Sequence, residues 1–112
     1  MAITSTQSKA PASANNVAVG RYLSTDTAAA FTITCGFKPR YVKVTNVDVD
    51  TDGESLEWFE CMADAEAILR VAAGTTTIIT TLGITTTATG FTVGLQTDVN
   101  VISEQLSWIA IG

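Results

Sequence analysis

Alternation of apolar and polar residues with a period of two runs through most of this chain, and it predicts strands. Tyr41 to Val49 sends Val42 and Val44 one way and Tyr41, Lys43 and Thr45 the other. Leu56 to Cys61 repeats the pattern, with Leu56 and Trp58 on one face and Glu57, Phe59 and Cys61 on the other. Between them, the run Asp48 to Gly53 ends in Asp52-Gly53, a strong hairpin signal. Upstream, Val17, Val19 and Tyr22 to Ser24 predict a first strand. Ala28 to Cys35 predicts a second, with Phe31, Ile33 and Cys35 sharing a face. Pro39 lacks a backbone donor and closes that segment.

Residues 62 to 73 are open between two readings. Ala65, Ile68, Leu69 and Ala72 are spaced for a short helix that Gly74 could close; a loop followed by a strand over Ala67 to Val71 fits as well. Thr75 to Thr81 predicts a strand, Gly83 a turn, and Ile84 to Thr89, Phe91 to Leu95, Asn100 to Ile102 and Leu106 to Ile111 further strands. Leu106, Trp108 and Ala110 oppose Ile109 and Ile111, so both faces of the last strand are apolar. Such a strand is central in its sheet or covered by another subunit. Short strands about ten residues apart predict an all-β fold, an antiparallel β-sandwich of jelly-roll type, over residues 16–112. Residues 1–15 are rich in Ser, Thr, Ala, Asn and Gln, without periodicity. They predict an extended N-terminal arm, lying along a neighbouring chain or along its own domain.

Composition narrows the function. Only 15% of the 112 residues are charged, against about 25% in a typical soluble domain. Threonine, about one residue in six, suits strands through its branched Cβ and coats a sheet without adding charge. An uncharged edge of that kind is poorly protected against pairing with another chain. Net charge is -5 and only Lys38, Arg40 and Lys43 cluster among the cations, which argues against nucleic acid as a partner. No apolar run approaches a membrane span, and the first 14 residues do not read as a secretory signal.

Candidate chemistry is sparse. The chain has no histidine, which removes Ser-His-Asp and Cys-His catalysis and the commonest metal ligand. Counted as a calcium loop from Asp48, the twelfth position is Phe59, not a bidentate glutamate, so a hairpin turn is the expectation. Glu57 and Glu60 fall on opposite faces of one strand and do not make a glycosidase pair. No catalytic, metal or cofactor-binding residue is expected, and the chain reads as a non-enzyme. Cys35 and Cys61 carry no redox or metal spacing. Free, buried thiols are expected, with a single disulfide as the alternative. Trp58 is expected in the core, whereas Trp108 divides evenly between core and interface.

The stretch Gly36-Phe37-Lys38-Pro39-Arg40-Tyr41-Val42-Lys43-Val44-Thr45-Asn46 resembles small virion proteins of tailed bacteriophages. So do Glu57-Trp58-Phe59 followed by Met62, then Gly83-Ile84-Thr85, Gly90-Phe91-Thr92-Val93-Gly94, Asp98-Val99-Asn100 and Leu106-Ser107-Trp108-Ile109-Ala110. Together these span residues 36 to 111. The resemblance implies a head decoration or cement protein: a compact β domain bound to the major capsid protein on the capsid exterior, often as a homotrimer, and made in the host cytoplasm. Tail and fibre proteins carry similar short β phrases. The alternative is therefore an adhesion or carbohydrate-binding module, in which exposed Trp58, Tyr22, Tyr41 or Trp108 would stack on sugar rings.

Overall fold

The computed structural model describes residues 16–23, 29–48 and 53–112. Eight strands form there and no helix: β1 (Val17–Leu23), β2 (Phe31–Thr34), β3 (Tyr41–Asn46), β4 (Ser55–Phe59), β5 (Glu66–Arg70), β6 (Thr76–Thr86), β7 (Gly90–Val93) and β8 (Gln105–Ile111). The expected arm, residues 1–15, lies outside the described residues. All eight strands belong to one antiparallel sheet of order β1-β8-β3-β4-β5-β6-β7-β2.

That sheet curls until its ends meet. Tyr22 on the first strand in the order stacks face to face with Phe31 on the last, with centroids 3.7 Å apart. One strand further in from each end, Phe91 and Trp108 meet edge-on at 5.4 Å. The result is a half-barrel whose concave side holds the core: Val42 and Val44 of β3, Leu56 and Trp58 of β4, Ala67 and Leu69 of β5, Ile84, Phe91, Val93, Leu106 and Ala110. The alternation read from β3, β4 and β8 therefore assigns their faces correctly. Trp58 is 4% exposed, and its Nε1 donates to the Ala63 carbonyl at 3.1 Å.

One open expectation about elements is resolved and two are corrected. Over residues 62–73 the loop-and-strand reading holds, because Ile68 and Leu69 lie on opposite faces of β5, one half-buried and one buried. Gly83 does not divide two strands by a turn; β6 runs through it. Glu66 faces Ile84 while Ala67 faces Ile79, so residues 80–83 of β6 have no counterpart in β5 and the sheet bends there. Gly83 is needed for closeness: a Cβ at this position would lie 2.5 Å from the Glu66 carbonyl oxygen and 2.6 Å from that of Ala65. Hydrogen bonds pin this corner, from Gly83 N to Ala65 O (3.0 Å), from Ala65 N to Ile84 O (3.1 Å) and from Gly94 N to Gly83 O (2.8 Å).

The second correction is Asn100–Ile102, which forms turns instead of a strand. Asn100 is buried and its side-chain amide donates to the carbonyls of Ala29 (2.9 Å) and Gly94 (3.2 Å), tying the β7–β8 connection across the open end of the curl. Asn46, also fully buried, donates to Val99 O (3.0 Å) and Glu104 Oε1 (2.9 Å) and accepts from the Asp48 amide (2.9 Å). The β3–β4 pairing makes the expected hairpin, although its tip, 49–52, lies outside the described residues.

Candidate functional site

Register turns the outer face of the sheet into straight rows of side chains. One row crosses six strands as Val19, Ile109, Lys43, Glu57, Ile68 and Ile78. Beside it runs Val17, Ile111, Tyr41 and Phe59. Several of these side chains are apolar and open to solvent: Val19 is 71% exposed, Ile78 64%, Val17 58%, and Phe59 and Ile111 about 40%. Val47 and Leu23 extend the same area, and a shallow depression of about 330 Å³ lies among Val19, Lys43, Thr45, Val47 and Ile109. Isolated exposed valines are ordinary. A run of them at one end of a sheet, with an aromatic pair beside it, is the composition of an interface core.

Charge is concentrated at the centre of this face and is largely spent internally. Glu57 accepts from the Tyr41 hydroxyl at 2.5 Å and from Arg70 Nη1 at 2.8 Å, and Lys43 stands opposite it in register. The Tyr41 hydrogen bond, aided by Arg70 and Lys43, holds the Glu57 carboxyl below the ordinary range against its partial burial. Burial, then the hydrogen bond and the charge of Glu57, push Tyr41 up to about 12. Glu57 therefore stays ionised and Tyr41 neutral. Glu60 is exposed in the turn after β4, beyond the strand that carries Glu57.

The other residues singled out by sequence disperse. Lys38 and Arg40 do not join Lys43; they line a groove of about 580 Å³ at the end of the half-barrel, with Glu60 and Asp64 on the same rim and Trp58 beneath. Both signs of charge meet there, so no basic stripe results. Among the described residues, no group of three His, Cys, Asp or Glu could hold a metal; of the aspartates tested for calcium, Asp48 is described, whereas Asp50 and Asp52 are outside the described residues. Cys35 and Cys61 are free thiols. Cys35 is half-buried and donates to the Phe37 carbonyl, but Cys61 is exposed, against the expectation of burial, because β4 ends at Phe59 and the chain turns outward. No helix among the described residues is long and apolar enough to cross a membrane.

Among the described residues, each of the four aromatic rings considered for sugar stacking is buried or engaged with another ring. Trp58 is buried, Tyr22 is covered by Phe31, and the Tyr41 ring tilts against Phe59 at 5.2 Å. Trp108 lies on the concave side, pressed against Gly20 and edge-on to Phe91, with its Nε1 buried and without a hydrogen-bond partner. The exposed rows themselves were not readable from sequence: Val17, Val19 and Phe59 are single apolar residues there, and only the pairing of β1 with β8 and β8 with β3 makes them neighbours. No protein-family model matches the chain, and neither curated proteins nor solved structures give a significant match.

Proposed function

We propose that the protein is a structural component of a virion: a decoration or cement protein that binds the major capsid protein on the outside of a phage shell, where three copies gather as a homo-oligomer, without catalytic activity, nucleic acid or cofactor. The observation that carries this reading is the exposed apolar row at the β1–β8–β3 end of the outer face. Its cost to a solitary protein is solubility; its use is docking. The short virion-like phrases between residues 36 and 111 supply the class of partner. In the same reading the half-barrel is a jelly-roll-like sandwich whose leaves join at the β6 corner. The strands from β1 to the first half of β6 face the second half of β6, β7 and β2, since strands that switch leaves do so at bulges. The sugar-binding alternative draws less support, since each ring it needs is buried or already packed against another ring.

Fully burying a valine or isoleucine is worth about 1.5–3 kcal/mol. At the exposures of Val17, Val19 and Ile111, docking can recover about 1 kcal/mol from each, or about 3 kcal/mol together, roughly a hundredfold in affinity. Shell-binding by co-sedimentation tests this. Val17→Ser with Val19→Ser is expected to weaken binding to decoration-free phage shells about 10- to 100-fold while the unfolding free energy from urea denaturation stays within about 0.5 kcal/mol of the parent. Equal occupancy by parent and variant contradicts the proposal.

A further inference from the structure

We infer that the outer half of β6, residues 76–81, is a strand-pairing site that joins two copies of this chain edge to edge across a twofold axis. Residues 76–79 pair with β5 on one side; β7 joins β6 only at residues 84–86, so among the described residues no strand covers the other side of 76–79. From Ala72 to Leu82 every residue is exposed except Ile79, which is half-buried. An edge of this kind presents unpaired backbone donors and acceptors in a row. Proteins that remain single blunt such edges with lysine, proline or a bulge. Thr76-Thr77-Ile78-Ile79-Thr80-Thr81 has no lysine and no proline, and the bulge begins only at its end, at residue 80.

Charge selects a second copy as the occupant. The chain carries a net charge of -5, so two copies repel wherever acidic surfaces meet. Residues 71–97 contain no charged residue at all, and a like-with-like contact there brings no like charges together. A backbone edge is also self-complementary, because each antiparallel strand offers what the other lacks. Pairing centred on Ile78 sets the two Ile78 side chains directly opposite each other on the outer face, at the 4.5–5.5 Å spacing of cross-strand pairs, and covers the most exposed large side chain on this edge. The eleven residues from 72 to 82 fall short of the 20–30 per side of a stable interface. The contact is therefore weak alone and gains strength when many copies share a surface. The site lies at the opposite end of its leaf from β1, so it leaves the docking face free, and it stands without reference to any shell.

Sedimentation velocity of the full chain from about 5 to 500 μM tests it. The parent is expected to show a monomer–dimer equilibrium, and Ile78→Lys, which sets two ammonium groups across the axis, is expected to weaken it at least tenfold with unchanged thermal unfolding. Ile78→Cys in a Cys61→Ser background should cross-link to itself on mild oxidation, whereas Val19→Cys on β1 should not. A parent that stays monomeric throughout, an Ile78→Lys dimer as tight as the parent's, or a cross-link favouring Val19→Cys overturns the inference. So does a monomeric parent whose recruitment to shells depends on Ile78, which would make the strand partner a different protein.

Discussion

Replacing Gly83 with alanine should be among the most damaging single-methyl additions in this protein. The new Cβ would stand 2.5–2.6 Å from two backbone carbonyl oxygens, those of Glu66 and Ala65. Neither can rotate away. Restoring an ordinary carbon–oxygen approach of about 3.3 Å requires the two segments to part by roughly 0.8 Å. That movement stretches the Gly83 N to Ala65 O bond well past bonding length and strains the adjoining Ala65 N to Ile84 O bond. Two backbone hydrogen bonds at about 1 kcal/mol each, with about 1–3 kcal/mol of overpacking strain, give a loss of about 3–5 kcal/mol. Alanine restricts the unfolded chain and returns about 0.4–1 kcal/mol, leaving a net loss of about 2–4 kcal/mol. Against a total of about 5–15 kcal/mol this is a large fraction, and it should lower Tm by roughly 10–25 °C. Urea denaturation followed by tryptophan emission measures it. A loss under about 0.5 kcal/mol would show that the corner does not depend on this close approach and that β6 bends for another reason.

Other perturbations separate the concave and convex sides. Gly20→Ala places a Cβ 2.5–2.9 Å from three atoms of the Trp108 indole; it should cost about 1–3 kcal/mol and shift Trp108 emission to the red, read by fluorescence and denaturation together. Asn46→Ala strips a fully buried side chain of three hydrogen bonds, leaving the Val99 carbonyl with the Val101 amide alone. A loss of about 2–4 kcal/mol and faster amide exchange over residues 94–104 are expected. Tyr41 is raised above its usual 10.0 to about 12 in the folded state, so its contribution is intact below pH 10 and disappears as pH climbs from 10 to about 12. Glu57 is shifted the other way, so its contribution is intact above its ordinary 4.5 and falls away in more acidic solution. The urea midpoint should accordingly fall at both ends, and Tyr41→Phe should remove the alkaline fall; a parent midpoint flat from pH 9 to 12 would contradict the Tyr41–Glu57 coupling.

Local patterning carried much of this fold. Val42, Val44, Leu56, Trp58, Leu106 and Ala110 alternate with polar or half-exposed neighbours, and each lies on the concave face as the period of two requires. The Asp52-Gly53 signal located the β3–β4 hairpin for the same local reason. What stayed hidden depends on distance. Gly83 reads as a turn because glycine usually supplies freedom; here it supplies absence of bulk against a carbonyl 17 residues away. Asn100 reads as a strand start beside Val99 and Val101, yet its side chain satisfies carbonyls at Ala29 and Gly94, and turns bring it there. The outer rows depend on register between strands as far apart as β1 and β8, nearly the whole described chain, which no local pattern encodes. Cys61 is exposed because β4 stops two residues earlier than its alternation allows.

Hydroxyl-radical footprinting of the free and the shell-bound protein tests the central claim, that the convex face docks while the concave face alone holds the fold. Side-chain oxidation at Val17, Val19, Phe59 and Ile111 should drop at least fivefold on binding, and core residues such as Phe91 should be unreactive in both states. Bound protein that is oxidised at those four positions as readily as free protein would contradict the account.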